Sequence, residues 1–202
     1  MLPGQRISSI VSQHAIKKAA FFDRDGIINV NHGYVHSIEK FEFMDGIVEV
    51  MLHVQSLGYD IVVVTNQSGI ARGMYTEDDF MLLNKWMCEQ LIEQGIVITQ
   101  TYFCPHHPSV GDSIYTKDCE CRKPKAGMLF QAAKDYDFKL ERSIFIGDNR
   151  SDMESAIAAK IRSGYWLTST KDRGKVFTIL SQHSNLTTLY QINELRECLH
   201  LI

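Results

Sequence analysis

Long hydrophobic runs are absent from this sequence of 202 residues. No apolar stretch approaches the roughly 20 residues that a membrane-spanning helix needs, so we expect no membrane partner. The opening residues 1–17 carry Arg6, His14 and Lys17 among polar groups and lack the apolar core of a signal peptide. We therefore expect a cytoplasmic protein in which residues 1–17 form a short N-terminal extension.

A large excess of charge of either sign is also missing, because the chain has 21 Lys and Arg residues and 24 Asp and Glu residues. The formal net charge of −3 argues against a broad basic surface, and hence against a nucleic-acid partner. Any anionic substrate must then be held by a few local basic groups.

Cysteine is scarce and odd in number, since the chain has five. An odd count in a chain expected to stay in the cytoplasm argues against a disulfide framework. Three of the five cysteines lie within residues 104–121, and such clustering indicates a metal site instead.

The apolar runs are short and alternate with helical patterns, which is typical of an α/β fold. The alternation predicts one Rossmann-like domain over residues 18–202, with helices on both faces of a mostly parallel central sheet. We see no repeats, no low-complexity segment and no linker that would divide it. The predicted strands cover residues 18–22, 59–64, 97–103, 143–147 and 162–167, and the predicted helices cover 47–57, 77–94, 128–136 and 151–159.

Residues 168–202 form a C-terminal extension to this pattern. Its apolar residues recur every three or four positions, which predicts a C-terminal helix that either packs on the domain or forms a partner surface, and packing is favoured. These residues are Leu186, Leu189, Ile192, Leu195 and Leu199.

A pair of carboxylates follows the first predicted strand, where Ala19-Ala20-Phe21-Phe22 runs into Asp23-Arg24-Asp25-Gly26. Two carboxylates separated by one residue at the end of a buried strand suit a hard cation such as Mg²⁺. They also suit two separate catalytic roles, in which one carboxylate attacks the substrate and the other transfers a proton. Taken alone, the pair fits a solvated turn equally well, so its meaning depends on the rest of the chain.

Three further polar segments lie at the ends of predicted strands or in the longest irregular stretch. Thr65-Asn66-Gln67-Ser68 offers hydroxyl, amide and backbone N–H groups that suit phosphate oxygens. Arg122-Lys123 places together two cations that can grip and neutralise phosphates. Asp148 could complete a magnesium shell, while Asp152 could cap the helix that follows. Each segment alone also fits an ordinary polar loop, but ligands of open α/β sheets bind at this edge, and the four segments agree.

Residues 104–124 are predicted to form a zinc loop. Three thiolates and one imidazole make a tetrahedral ligand set that suits zinc. Four protein ligands leave no position for water, so we expect a structural zinc that fixes the cations directly after it in the sequence. The ligands are Cys104, Cys119, Cys121 and either His106 or His107, which spacing alone does not separate.

Taken in order, Asp23-Arg24-Asp25-Gly26, Thr65-Asn66-Gln67-Ser68, Lys123 and Gly147-Asp148 resemble the four signatures of the haloacid dehalogenase (HAD) superfamily of phosphatases. Within that superfamily, residues 18–168 look most like the heptose-bisphosphate phosphatases of bacterial lipopolysaccharide-core synthesis. No large insertion separates the first two signatures, so we expect no large cap domain.

The resemblance implies a Mg²⁺-dependent phosphatase. Asp23 would be the nucleophile that forms an aspartyl-phosphate, and Asp25 would protonate the leaving sugar oxygen and then activate water. The implied magnesium ligands are Asp23, Asp25 and Asp148. Thr65 and Lys123 would hold the transferring phosphoryl group, whose charge is spread over its equatorial oxygens.

The resemblance further implies a phosphorylated sugar substrate, the 7-phosphate of heptose 1,7-bisphosphate, and selects His106 as the fourth zinc ligand. Asn149 departs from the lysine often found at its position in the family. The implied substrate-binding residues are Asn31, His32, Gly33, Tyr34, Thr65, Asn66, Gln67, Ser68, Arg122, Lys123 and Asn149.

Three other functions stay open at this point. A histidinol-phosphate phosphatase would share the zinc loop and the aspartate pair. A catalytically silent zinc-binding scaffold is disfavoured by the intact Asp23, Asp25, Lys123 and Asp148. A phosphatase of nucleic-acid ends is disfavoured by the acidic balance. We expect the protein to be a monomer.

Overall fold

One sheet and the helices around it form the regular structure of the residues that the computed structural model describes, which are 16–111, 114–168 and 186–202. The strands are β1 Ala19–Phe22, β2 Asp60–Asn66, β3 Ile98–Cys104, β4 Ile144–Gly147, β5 Ser163–Leu167 and β6 Thr188–Ile192. The helices are α1 Ile47–Ser56, α2 Glu77–Glu93, α3 Gly127–Tyr136 and α4 Arg150–Ala158, followed by a short final helix, Cys198–Leu201. Short 3-10 helices cover Ile38–Lys40, Leu140–Arg142 and Leu195–Glu197.

The strands pair in parallel in the order β3–β2–β1–β4–β5–β6. Ala20 of β1 lies opposite Ile61 of β2 on one side and opposite Ile144 of β4 on the other. Because parallel strands end at the same edge of a sheet, the carboxyl ends of β1, β2 and β4 lie side by side. The predicted parallel sheet is confirmed, and each of its five predicted strands is found within two residues of the expected bounds.

Helices cover both faces of the sheet because its inner strands are apolar on both faces. On one face, Met51 of α1 and Met87 of α2 join a buried cluster with Phe22. On the other, Leu129 of α3 joins a cluster with Phe21. Phe21 and Phe22 are neighbours in β1 and so point to opposite faces, which is why a doubly covered strand needs a continuous apolar run. The predicted three-layer Rossmann-like fold is confirmed.

The start of α2 shows how the local sequence sets the bounds of an element. Thr76 Oγ1 accepts a hydrogen bond from the N–H of Asp79 at 3.1 Å, and Asp79 Oδ2 accepts one from the N–H of Thr76 at 2.8 Å. This capping box satisfies two backbone donors that the first turn leaves free. The helix accordingly begins at Glu77, as the sequence predicts.

The prediction of a packed helix through the C-terminal extension is wrong. Leu189 and Ile192 lie in β6, and helical turns begin only at Leu195. A strand places residues three apart on opposite faces, so Leu189 packs against Met153 and Trp166 while Ile192 joins the core on the other face. In a strand buried on both faces, an apolar spacing of three therefore imitates the period of a helix.

The connections that follow β1 and β2 at the carboxyl edge of the sheet are loops without a further domain. The segment between β1 and α1 contains a single 3-10 helix, and the segment between β2 and α2 contains turns. The expected absence of a large cap thus holds for the described part of the chain. Among those same residues, no helix combines the length and the apolar character needed to cross a bilayer.

Candidate active site

The first carboxylate pair lies where β1 ends. The N–H of Asp23 donates to Ile146 O of β4 at 3.0 Å, so strand pairing continues up to this residue. Gly26 then turns the chain with a φ of 92°, and a Cβ at this position would collide with the carboxylate of Asp148. Glycine therefore allows the loop after β1 and the residue after β4 to share one small volume.

Lys123 lies between two buried carboxylates. Its Nζ is 3.0 Å from Asp23 Oδ1 and 2.7 Å from Asp152 Oδ1, and it donates to Val64 O at 2.9 Å. Burial raises the pKa of Asp23 to about 8, although the charge of Lys123 opposes this shift. Burial by itself would lower the pKa of Lys123, but the charges of Asp152 and Asp23 outweigh it and raise that pKa. The lysine therefore stays charged in the interior.

Asp23, Asp148 and Asp152 form a candidate Mg²⁺ site. Each offers a carboxylate oxygen, and these oxygens lie within 4.8 Å of one another. A divalent cation bound by these oxygens would hold all three carboxyl groups in their charged form, so the cluster fits a hard cation with oxygen ligands. The carboxylate of Asp25 is not brought into this cluster, so its role as a magnesium ligand stays a prediction.

The carboxylate of Asp25 is held by nitrogen donors instead. Arg24 Nη2 donates to both of its oxygens, at 2.8 and 2.9 Å. Asn29 Nδ2 donates at 3.1 Å and Gln67 Nε2 at 3.0 Å. Because the side chain is still 20% exposed, it can reach a substrate atom in the cavity while its orientation is fixed.

The side-chain amide of Gln67 contacts Thr65 as well as Asp25. Gln67 Nε2 donates to Thr65 Oγ1 at 2.8 Å. This bond uses a lone pair of the hydroxyl oxygen, so the hydroxyl proton can still be donated to a phosphoryl oxygen.

These groups line a cavity of about 320 Å³ at the carboxyl edge of the sheet. All the predicted substrate residues except His32 lie in its wall. His32 Nε2 instead lies 3.4 Å from Glu42 Oε2 beside a neighbouring hollow. The wall comprises Asp23, Asp25, Asn31, Gly33, Tyr34, Thr65, Asn66, Gln67, Ser68, Tyr75, Arg122, Lys123, Asn149, Ser151 and Asp152.

The predicted zinc ligands converge at the end of β3. His106 Nδ1 is 3.6 Å from the sulfur of Cys104 and 3.3 Å from that of Cys121. Cys119 Sγ is 3.6 Å from Cys104 Sγ and 3.3 Å from Cys121 Sγ. A tetrahedral zinc with Zn–S bonds near 2.3 Å separates its ligand atoms by about 3.8 Å, whereas a disulfide needs about 2.05 Å. The four side chains therefore fit a metal, and the cysteines are unpaired.

His107, the rival ligand, is engaged elsewhere. Its Nδ1 accepts hydrogen bonds from the N–H groups of Ser109 and Val110, at 3.2 and 3.0 Å. Its Nε2 lies 3.4 Å from Arg72 Nη2. The structure thus separates the two histidines, which spacing in the sequence could not do.

Two contacts join the zinc loop to the cavity. Arg122 Nη1 donates to His106 O at 3.2 Å. The amide of Asn66 accepts from the N–H of Lys123 and donates to its carbonyl, both at 3.1 Å. Lys123 is consequently held both by the last residue of β2 and by its position directly after Arg122.

Sequence reasoning assigned Asp152 only as a helix cap and missed Tyr75. Asp152 does cap α4, since its Oδ2 accepts from the N–H of Asn149 at 2.9 Å, but its other oxygen contacts Lys123. An acidic residue four positions after Asp148 was an available signal. No comparable signal marks Tyr75 in the sequence, because an aromatic residue in a loop more often covers the core.

Known proteins that are similar to this chain are phosphatases. The family model described as polynucleotide kinase 3 phosphatase matches residues 18–177. A D-glycero-beta-D-manno-heptose-1,7-bisphosphate 7-phosphatase from Photorhabdus laumondii is 47% identical over 143 residues, 71% of this chain and 76% of that protein. The protein of the same name from Haemophilus influenzae is 46% identical over 147 residues, 73% of this chain and 79% of that protein.

A solved structure is similar over most of the chain. The D,D-heptose 1,7-bisphosphate phosphatase from B. bronchiseptica, in complex with magnesium and phosphate, has a TM-score of 0.72 and 26% sequence identity. The similarity covers 91% of this chain and 97% of that one.

Proposed function

The chain belongs to the heptose-bisphosphate phosphatase family of the HAD superfamily, and from this membership we propose that it removes the 7-phosphate of D-glycero-β-D-manno-heptose 1,7-bisphosphate. The observation that carries the proposal is the convergence of Asp23, Asp25, Thr65 and Lys123 on one cavity. The β-anomer is proposed because the curated relatives are named for it. The enzyme would act as a monomer in the cytoplasm. Its product would supply heptose for lipopolysaccharide.

In the first step, an oxygen of Asp23 attacks the phosphorus atom of the 7-phosphate. A bond forms between this oxygen and phosphorus, the bond from phosphorus to the C7 oxygen breaks, and Asp25 gives its proton to that oxygen. Lys123 and the hydroxyl of Thr65 stabilise the charge on the phosphoryl oxygens. Mg²⁺ held by the carboxylate cluster that includes Asp148 would neutralise further charge on the phosphoryl group.

In the second step, Asp25 takes a proton from a water molecule that attacks the aspartyl-phosphate. The bond between phosphorus and the Asp23 oxygen breaks, and inorganic phosphate leaves. Arg122, with its guanidinium in the cavity wall, would bind the phosphate that stays on the sugar. Asn31, Gly33 and Tyr34 line the same cavity and would contact the sugar.

Phosphate release from a panel of esters tests the proposal. We expect kcat/KM for the β-anomer of heptose 1,7-bisphosphate to exceed that for the α-anomer, histidinol phosphate and a 3′-phosphorylated oligonucleotide. A preference of about a hundredfold corresponds to roughly 2.7 kcal/mol of transition-state binding. A preference for histidinol phosphate or for the oligonucleotide would replace the proposed substrate, and no release from any ester would favour a silent scaffold.

We also propose that the cysteine cluster binds a structural zinc that positions the cations of the cavity. Cys121 directly precedes Arg122 and Lys123, so the metal would fix the start of this segment. Removing zinc with a chelator, followed by resupply of Mg²⁺, is expected to lower kcat and raise KM. We expect at least about tenfold loss of kcat/KM, while the circular dichroism of the core stays the same.

The matched variants for this experiment are Cys119→Ser and Cys88→Ser. Cys119 is a member of the cluster, whereas Cys88 is a half-buried residue of α2 outside it. The first should reproduce the effect of the chelator and lose zinc by metal analysis, and the second should do neither. Full activity of the zinc-free protein would refute the role assigned to the metal.

A further inference from the structure

A chain of hydrogen bonds runs from a buried tyrosine to the carboxylate that the proposed mechanism uses as the acid. Tyr75 Oη donates to Gln67 Oε1 at 2.5 Å. Gln67 Nε2 in turn donates to Asp25 Oδ2 at 3.0 Å and to Thr65 Oγ1 at 2.8 Å. Tyr75 and Gln67 are 6% and 1% exposed, so few other partners can reach them.

The loop after β2 leaves room for the Tyr75 ring. A Cβ at Gly69 would collide with the Tyr75 ring, and would lie 2.9 Å from its hydroxyl oxygen. On its other side the ring stacks on His36, with centroids 5.1 Å apart and planes 7° from parallel. The absence of a side chain at position 69 therefore allows the hydroxyl to reach Gln67.

The hydroxyl of Tyr75 also contributes to the orientation of the Gln67 side-chain amide. Burial raises the pKa of Tyr75 to about 12, so its hydroxyl keeps its proton and remains a donor at neutral pH. The hydroxyl donates to Oε1 of Gln67, which leaves Nε2 to donate to Asp25 and Thr65 on the opposite side. With the amide reversed, its oxygen would face the Asp25 carboxylate and repel it.

We propose that Tyr75 is a positioning residue, which acts through Gln67 to hold Asp25 in the orientation that protonates the leaving oxygen. Arg24 and Asn29 supply the remaining donors to Asp25 from buried positions, so the pair of Tyr75 and Gln67 is one of three supports rather than the sole one. This proposal rests on the proposed function, because it takes Asp25 to be the proton donor.

Tyr75→Phe removes the hydroxyl and keeps the ring. An alkyl phosphate leaves as an alkoxide and needs a proton from Asp25, whereas p-nitrophenyl phosphate leaves as a stable phenolate and does not. We therefore expect kcat for heptose 1,7-bisphosphate to fall roughly tenfold, KM to change by less than about twofold, and kcat for p-nitrophenyl phosphate to stay within about twofold. A loss confined to the proton-requiring ester is something that general damage to the fold would not cause.

Gly69→Ala tests the same contact from the other side, since its Cβ would displace the ring. It should give the same selective loss, and the Gly69→Ala/Tyr75→Phe double variant should lose no more than either single variant. The control is Tyr102→Phe, which deletes a hydroxyl that donates to Asp135 at 2.8 Å outside the cavity wall. This control should hydrolyse both esters at the wild-type rate.

Equal losses on the two esters, or no loss on either, would overturn the assignment. Glycerol 2-phosphate is included as a second alkyl ester to separate the two proposals. If the wild-type protein hydrolyses it but not the heptose bisphosphate, the proposed substrate fails and the selective loss is still measured. If the wild-type protein hydrolyses none of the esters, both proposals fall.

Discussion

Asp23→Asn is expected to abolish turnover and leave the fold intact. An amide cannot attack phosphorus as a carboxylate oxygen does, so the first step loses its nucleophile. We expect kcat to fall by at least about ten-thousandfold, equivalent to roughly 5 kcal/mol of transition-state stabilisation. The substitution keeps the shape of the side chain, and Lys123 keeps its buried ion pair with Asp152, so the melting temperature should change little.

The measurement is phosphate release, together with acid quenching of the wild-type reaction to find phosphate on the peptide that contains Asp23. Asp60→Asn is the matched control, because Asp60 is exposed at the start of β2, at the opposite edge of the sheet from the cavity. It should retain full activity. Substantial turnover by Asp23→Asn, or phosphate on another peptide, would overturn the assignment of the nucleophile.

Lys123→Met is expected to cost both activity and stability. The variant leaves Asp23 and Asp152 buried without the cation that lies 3.0 and 2.7 Å from their oxygens. Removing one partner of a buried ion pair typically costs about 3–5 kcal/mol, because the remaining charge is neither paired nor solvated. Since the lysine also faces the transferring phosphoryl group in the proposed mechanism, kcat should fall about a thousandfold. Urea unfolding without Mg²⁺ and steady-state kinetics measure the two effects.

The control for this variant lies two residues further along the chain. Lys125 Nζ is 2.9 Å from Asp118 and 3.1 Å from Glu120, but these partners are exposed. Lys125→Met should therefore leave the free energy of unfolding almost unchanged. In the Lys123→Met background, Asp152→Asn should restore part of the lost stability. A Lys123→Met protein as stable as the Lys125→Met protein would show that burial of the ion pairs has been overestimated.

The sequence was sufficient to locate the fold and most of the cavity, for a physical reason. Strands buried on both faces read as short apolar runs, and ligand-binding side chains follow such strands where they end. Asp23 and Thr65 are therefore visible as polar residues that follow or end buried stretches. The spacing of Cys104, Cys119 and Cys121 is equally informative, because few arrangements of free thiols other than a metal site bring them together.

The remaining features depend on contacts between distant segments, which a local pattern does not contain. The choice of His106 over His107 follows from which imidazole faces the thiols. The second role of Asp152 follows from the position of Lys123, 29 residues earlier in the chain. The strand that contains Leu189 was misread because its apolar spacing fits a helix until its pairing with β5 is known.

The central position of β1 in the sheet also fixes the order in which the protein can become active during its synthesis. Among the strands of the described residues, β1 is translated first, and its partners β2 and β4 follow later. The acidic cluster needs Asp152, so it cannot close until the 129 residues that follow Asp23 have been translated. Before β4 is made, Asp23 and Asp25 follow a strand that has no neighbour on that side, and a nascent chain that stops there carries the proposed nucleophile without the acidic cluster.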